Sequence, residues 1–157
     1  MKTKLQLLAL LFLPFFLVGC RKVVEADKTQ VRNGVLYVVN ETKPFTGTLR
    51  ENWGDGKIVQ EIKVDQGYVT DLKTWYKHGQ LKLSCGFTNL SVDKLSTSWP
   101  DLFEDQRKFL NGPFEAFYEN GQREIQAKFS KGVLVGKARS WDKDGNEKSV
   151  LTINRIL

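Results

Sequence analysis

The sequence predicts an all-β fold: a repeat array of stacked antiparallel β-hairpins, interrupted by one short helical insertion. Three observations carry this prediction. Turn-forming dipeptides recur at a nearly constant spacing, apolar residues alternate after the turns, and residues 88–111 break the spacing. The chain has 157 residues, of which 41% are hydrophobic and 11% aromatic, so it supplies enough apolar surface for one globular domain but not for two.

The first 19 residues predict an export signal. Lys2 and Lys4 precede an apolar run over residues 5–18, and Cys20 follows shortly after it. A charged start, a short apolar middle and small residues before a cleavage site are the layout of a secretory signal peptide. The run is too short to span a bilayer comfortably. The alternative is an ordinary signal peptide, or an N-terminal anchor helix, with a chance cysteine.

The end of this segment, Leu17-Val18-Gly19-Cys20, resembles a bacterial lipobox. The resemblance implies cleavage before Cys20 and attachment of lipid to it, and several acyl chains on one cysteine hold a protein on the membrane. Arg21 stands where an inner-membrane retention signal would have Asp, so the resemblance implies the outer membrane, facing the periplasm. Residues 20–30 are then predicted to be the lipidated cysteine and a flexible tether, and residues 31–157 the repeat domain.

The charge of the mature chain is mildly basic and scattered. Removing residues 1–19 takes away two lysines and no acid, which lowers the net charge from +6 to +4. Because no basic stripe is present, we expect no nucleic-acid partner. A single histidine and two cysteines leave no set of zinc ligands, and we expect no metal and no cofactor. With Cys20 lipidated, Cys85 would be the only thiol, so no intramolecular disulfide can form.

Turn-forming dipeptides mark four hairpins, whose glycines are 23, 42 and 24 residues apart. A repeat of about 23 residues with a single insertion explains this series. Each dipeptide joins a residue that tolerates positive φ to a glycine, which is typical of a two-residue hairpin turn. His78 occupies such a position, so we predict a turn role for it rather than a catalytic one. The four dipeptides are Asp55-Gly56, His78-Gly79, Asn120-Gly121 and Asp144-Gly145.

Apolar and aromatic residues stand at similar distances from each turn glycine. Alternate residues after the turns are mostly apolar, which predicts antiparallel strands with one buried face. Cys85 falls at such a position and is predicted to be a core residue rather than a reactive thiol. Aromatic residues three or four positions before each turn glycine are predicted to pack between repeats, with a sugar-stacking or lipid-facing ladder as the alternative. They are Trp53, Trp75, Tyr76, Phe117, Tyr118 and Trp141.

Two units in this series resemble MORN-variant repeats. They are residues 112–122, with Gly-Pro-Phe-Glu-Ala-Phe-Tyr-Glu-Asn-Gly-Gln, and residues 136–146, with Gly-Lys-Ala-Arg-Ser-Trp-Asp-Lys-Asp-Gly-Asn. Residues 33–37 and 43–47 resemble the first unit of bacterial YwqK-family antitoxin-like proteins. The resemblance covers about residues 31–153 apart from the insertion. It implies a MORN-like hairpin array that serves as a membrane-tethered interaction module.

The insertion, residues 88–111, is predicted to contain a short amphipathic helix from about Pro100 to Leu110. Ser98 and Pro100 suit the start of a helix, and Asp101 can accept a hydrogen bond from an N-terminal amide. One interpretation is that the helix caps the open edge of the sheet, which a hairpin array must protect.

The other interpretation of the insertion is a partner-binding site. Insertions in repeat proteins collect on one face, which is often the binding face. Trp99 and Phe103 would be its aromatic anchors, and Asp101, Glu104 and Asp105 its charged rim.

Three functions compete. The first is a membrane-anchored, non-enzymatic lipoprotein that binds another protein, in its specific form an immunity or antitoxin protein against an envelope-acting toxin. The alternative is a structural lipoprotein that binds envelope lipid or peptidoglycan. A hydrolase is disfavoured because the sequence nominates no pair of catalytic carboxylates. The oligomeric state stays open, since the apolar end after residue 152 could pair with another copy.

Overall fold

The computed structural model describes residues 22–152. The predicted signal peptide and the predicted lipidation site Cys20 lie outside the described residues, as do Arg21 and residues 153–157. The prediction of an all-β fold is confirmed, with twelve strands and one short α-helix in the described part of the chain. The strands are β1 (Val23–Glu25), β2 (Thr29–Arg32), β3 (Val35–Val38), β4 (Gly47–Asn52), β5 (Ile58–Asp65), β6 (Tyr68–Trp75), β7 (Leu81–Leu90), β8 (Leu110–Phe117), β9 (Arg123–Ser130), β10 (Val133–Leu134), β11 (Lys137–Trp141) and β12 (Glu147–Thr152).

Antiparallel neighbours build one large sheet, in the order β1-β4-β5-β6-β7-β8-β9-β11-β12. From β4 onward each strand pairs with the next along the chain, apart from the short β10, which pairs only with β9. β1 joins the edge in parallel with β4. β2 and β3 form a separate hairpin. The sequential pairing follows from the hairpin turns, which leave each strand beside its predecessor.

One face of the sheet carries the core. A row of apolar residues is in direct register across six strands, from β4 to β9: Leu49, Ile62, Leu72, Cys85, Phe114 and Ala127. All six are buried, as the alternation in the sequence predicts. Leu36 of the β2–β3 hairpin and Leu102 of the insertion join the same core. Burial fades toward the last hairpin, where Leu151 is 66% exposed.

Each of the four dipeptides lies at a hairpin turn between paired strands, but none of these is a two-residue turn. Only the glycine of each dipeptide has positive φ, from 81° at Gly56 to 96° at Gly79. At the first turn the Gly56 amide donates to the Trp53 carbonyl at 2.8 Å and the Trp53 amide donates to the Lys57 carbonyl at 2.7 Å, which is the pattern of a type I turn closed by a glycine in the left-handed conformation. Asp55 favours this turn, because its Oδ1 accepts a hydrogen bond from the amide of Lys57 at 3.1 Å and holds the residue at negative φ. A separate bulge lies in the strand after each turn, as at Val59 between the Asn52–Ile58 and Glu51–Gln60 pairs.

Two-residue turns with both φ values positive occur at the other end of the strands. Asn33-Gly34 joins β2 to β3, Gln66-Gly67 joins β5 to β6, and Lys131-Gly132 joins β9 to β10. Gln66 and Lys131 are not common in this conformation, so residue type alone did not mark these turns.

The predicted tether over residues 20–30 is wrong for its described part. β1 pairs with β4, with Val23 opposite Thr48, and the Lys22 carbonyl accepts a hydrogen bond from the Thr48 amide at 2.9 Å. β2 begins at Thr29 and pairs with β3. The edge of β4 offers unpaired backbone groups, and β1 satisfies them. The folded domain therefore begins at about Lys22 rather than at residue 31.

The predicted helix from Pro100 to Leu110 is too long. The α-helix, α1, spans Trp99–Glu104, a 3-10 turn covers Arg107–Phe109, and Leu110 already belongs to β8. Gln106 ends the helical stripe, because its buried side chain binds the loop before the helix. Its Nε2 donates to the Lys94 carbonyl at 2.5 Å, and its Oε1 accepts from the Ser96 amide at 3.3 Å. Two further 3-10 turns cover Ala26–Lys28 and Val92–Lys94.

Candidate functional site

The acidic side of the insertion is the site that the sequence nominates. We define the insertion surface as residues 99–105. Asp101, Glu104 and Asp105 are exposed on it, while Leu102 between them is fully buried in the core. Trp99 and Phe103 lie on α1, but their side chains are outside the described part of the structure. Leu102 thus anchors α1 to the core, and the side chains of Asp101, Glu104 and Asp105 are exposed to solvent.

Asp101 does not cap the helix in the predicted manner. Its Oδ2 accepts a hydrogen bond from the Ser96 hydroxyl at 3.0 Å, and the Ser98 side chain makes no capping bond. Asp101 therefore fastens α1 to the preceding loop, whereas Glu104 and Asp105 form no ion pair with another described residue.

The insertion covers the core face of the sheet rather than its edge, so the expectation of an edge cap is wrong. Its C-terminal end packs on the β9–β10 turn, where a Cβ built on Gly132 would lie 2.6 Å from the Lys108 Cα. The Gly132 amide donates to the Leu110 carbonyl at 2.8 Å. The described edge strands, β1 and β12, lie elsewhere in the sheet. The sheet face is larger and more apolar than its edge, which makes it the surface that most needs cover.

Four of the six repeat aromatics take part in contacts between repeats, whereas Trp53 is 39% exposed. The Tyr76 hydroxyl donates to the Phe117 carbonyl at 3.0 Å, and the Tyr118 hydroxyl donates to the Trp141 carbonyl at 2.9 Å, one repeat further on. Between Phe117 and Trp141 lies the Arg123 guanidinium, 6.0 and 5.7 Å from the two ring centroids. These contacts favour the packing interpretation over a free sugar-stacking ladder.

Residues of the turn dipeptides make further contacts between repeats. His78 Nε2 lies 3.0 Å from the Glu119 carbonyl, and Asn120 Nδ2 donates to the Lys143 carbonyl at 2.7 Å. His78 and Asn120 hold the same repeat position, and each binds the backbone of the next turn. The predicted turn role of His78 is therefore accompanied by a contact that the sequence did not reveal.

The second face of the sheet is open and polar. Its central row is in register across seven strands: Arg50, Glu61, Lys73, Ser84, Glu115, Gln126 and Arg139. Two ion pairs lie on this face, Arg50 with Glu61 at 2.6 Å and Glu115 with Arg123 at 3.4 Å. The insertion and the β2–β3 hairpin are both on the opposite side, so this face is accessible to a partner.

A groove of about 320 Å³ lies on the open face, across β8, β9 and β11. Three exposed cations line it, and none of them forms an ion pair with another described residue: Lys128, Lys137 and Arg139. We call these three residues the cation cluster. The other lining residues are Pro113, Glu115, Gln126 and Ala127. Sequence reasoning treated these lysines as scattered, although Lys137 and Arg139 are spaced to share one face of a strand.

Cys85 is a core residue, as predicted. It is 4% exposed, and burial, with a smaller contribution from the Asp71 carboxylate, raises the pKa of its thiol. Within residues 22–152, no three His, Cys, Asp or Glu side chains are grouped to hold a metal ion. No helix in that range is long and apolar enough to cross a bilayer.

The chain matches no protein-family model, no curated protein and no solved structure. The likeness to MORN-variant and YwqK-family proteins therefore stays a resemblance of the repeat units alone.

Proposed function

We propose that the protein is a membrane-anchored, non-enzymatic lipoprotein that binds another protein. In its specific form it is an immunity or antitoxin protein against an envelope-acting toxin. The observation that carries the proposal is the division of the sheet into two faces. One face is buried by the insertion and the β2–β3 hairpin, and the other is a broad, charged surface with nothing of the described chain over it. A preformed sheet surface costs little conformational entropy when it binds.

The lipidated residue would stand next to the folded domain. Lys22 already contacts β4, so two peptide units separate Cys20 from the sheet, a span of at most about 7 Å. Lipid on Cys20 would hold the β1 edge beside the bilayer. The β12 edge is eight strand spacings away, about 38 Å along the sheet. The open face would then extend from the outer membrane into the periplasm.

Two surfaces are offered to the partner, the insertion surface and the open face. The insertion surface would contribute Glu104 and Asp105 as a charged rim, with Trp99 and Phe103 as the anchors that the sequence nominates. The open face would contribute its central row. Rim charges set the association rate and its salt dependence more than the affinity.

The test is capture of a partner by the tagged full chain from envelope extract, and with purified products of neighbouring genes. Three variants are compared with it: Glu104→Gln with Asp105→Asn, Trp99→Ala with Phe103→Ala, and Lys73→Glu on the open face. Asp144→Asn with Glu147→Gln is the matched control, because both acids are exposed on the last hairpin.

Loss of one specific partner in a single variant set would place its site on that surface. Recovery of nothing above an untagged control would remove the protein-binding function. Lipidation is tested separately with Cys20→Ser, which should lose incorporation of a labelled acyl chain and leave the outer-membrane fraction. Retention of both would contradict the lipoprotein assignment.

The alternative, binding of envelope lipid or peptidoglycan, keeps one supporting observation. Most of the repeat aromatics that would stack on sugars are engaged between repeats, whereas the cation cluster lies on the open face without an ion-pair partner among the described residues. Sedimentation of the chain with peptidoglycan sacculi would favour this alternative, and its absence would count against a polymer ligand.

A further inference from the structure

We propose that the groove on the open face is a binding site for a phosphate group, held by Lys128, Lys137 and Arg139. The inference goes beyond the function proposed above and depends neither on lipidation of Cys20 nor on a protein partner.

Strand pairing brings the cation cluster together. Gln126 of β9 is in direct register with Arg139 of β11. Lys128 and Lys137 are the next positions on the same face of these two strands, and all four residues line the groove. Directly opposite positions on one face of a sheet lie about 5 Å apart and diagonal positions about 7–8 Å apart, so three long cationic side chains can reach one anion.

The cluster is not neutralised within the described chain. Glu115 is the one acid that lines the groove, and its Oε1 lies 3.4 Å from a guanidinium nitrogen of Arg123. Like charges at neighbouring positions of two strands destabilise a sheet. By contrast, Arg50 on the same face is paired with Glu61 at 2.6 Å. A local arrangement that costs stability without an evident gain in the fold is typical of a functional site.

The charges and the donors of the groove define the ligand class. Three cations and one carboxylate give the lining a net charge of +2, which complements a phosphate monoester or inorganic phosphate with two negative charges. The Arg139 guanidinium can bind two phosphate oxygens at once, and the two ammonium groups act as point charges on the others. The Gln126 amide adds a neutral donor. The groove is open to solvent, so the phosphate could belong to a soluble molecule or to a lipid headgroup.

The experiment uses the full chain in neutral detergent and measures binding by calorimetry and by the change in Tm. One arm adds inorganic phosphate, with sodium chloride at matched ionic strength as its control. The other arm adds short-chain phosphatidate, with short-chain phosphatidylcholine as its control. The variant is Lys137→Gln with Arg139→Gln, and the matched control is Lys77→Gln, an exposed lysine in the second repeat turn.

We expect opposite effects of the variant on stability and on binding. Without ligand, the variant should have a higher Tm than the wild type, because the like-charge repulsion is relieved. With ligand, it should lose the rise in Tm, and its affinity should fall about tenfold or more, whereas Lys77→Gln should change neither.

A response to both probes identifies phosphate itself as the ligand, and a response to phosphatidate alone identifies a lipid headgroup. Either response supports the proposal if the variant abolishes it. No response of the wild type to either probe, or equal responses of wild type and variant, would overturn it.

Discussion

The buried hydroxyl of Thr74 is anomalous at the residue scale. Thr74 is 5% exposed on the core face, and its Oγ1 is the buried side-chain oxygen without a hydrogen-bond partner in the described part of the chain. Burying a polar group without a partner costs free energy that an apolar group of equal size would not.

Thr74→Val should therefore stabilise the protein by about 1 kcal/mol, because valine has the same shape and no hydroxyl. Urea denaturation measures the change. Thr70→Val is the control, because the Thr70 hydroxyl donates to Asp71 Oδ2 at 2.8 Å and its loss should destabilise. A loss of stability in Thr74→Val would show that the hydroxyl has a partner in solution.

The raised pKa of the Cys85 thiol predicts how the stability of the protein depends on pH. Burial keeps the thiol neutral in the folded state, while the unfolded chain ionises above its ordinary pKa of about 9.0. The unfolded state then holds fewer protons, so stability should be intact below about pH 8 and fall as the pH rises beyond 9. Cys85→Ala should show a shallower decline from about pH 8 to 10, even if its stability is lower throughout. Equal slopes would contradict the assignment.

At the scale of elements, the repeats are joined by side-chain contacts to the backbone of the next repeat. Tyr76 and Tyr118 hold the same repeat position and each donates to a carbonyl one repeat further on. Gln80 and Gln122 each follow a turn glycine. A Cβ built on the glycine of the next turn, Gly121 or Gly145, would lie 3.2 Å from the Oε1 of that glutamine. The turns therefore pack on one another as well as closing their own hairpins.

Tyr118→Phe should lower the free energy of unfolding by about 1 kcal/mol, because the Trp141 carbonyl loses its donor while the ring stays in place. Tyr37→Phe is the matched control, since the Tyr37 ring stacks under Arg32 and its hydroxyl has no bond among the described residues. Equal effects of the two changes on urea denaturation would show that the hydrogen bond from Tyr118 to Trp141 adds no stability.

Gly132 and Gly136 form a matched pair for the docking of the insertion. Both have positive φ, so alanine strains either backbone. Only Gly132 approaches the insertion, whereas the space around Gly136 is open. Gly132→Ala should be the more destabilising by at least about 1 kcal/mol, measured by thermal or urea denaturation, because the Lys108 backbone must move. Equal losses would mean that the insertion does not pack there in solution.

At the scale of the whole molecule, β1 and β2 are both integrated into the fold. β1 satisfies the free edge of β4, and β2 completes the hairpin whose Leu36 enters the core. The insertion is integrated in the same way through Leu102, which is fully buried. The molecule is thus a sheet with two covers over one face, and it is not a bare hairpin array on a tether.

A chain that begins at residue 31 should be at least about 2 kcal/mol less stable than one that begins at residue 22, because it lacks β1 and part of β2. Urea denaturation of the two chains measures this. Equal stability of the two chains would indicate that residues 22–30 act only as a tether.

The repeat turns and the strand phase could be predicted because they depend on residues close together in the sequence. Gly56, Gly79, Gly121 and Gly145 each serve a turn within their own hairpin, and the alternation around Cys85 marks its buried face. The turn type was missed, since a Gly-containing dipeptide suits both a two-residue turn and a type I turn with a bulge. The helix length was missed because Gln106 binds residues outside the helix.

Local chemistry in the sequence thus determined the all-β class, the hairpin positions and the lipobox resemblance. Tertiary structure alone decided where β1, the insertion and the cation cluster lie. Val23 meets Thr48, Lys108 meets Gly132, and Gln126 meets Arg139, and each pair joins residues more than ten positions apart. Such contacts form wherever an unpaired edge or an uncovered apolar face remains, and those surfaces exist only once the strands have assembled.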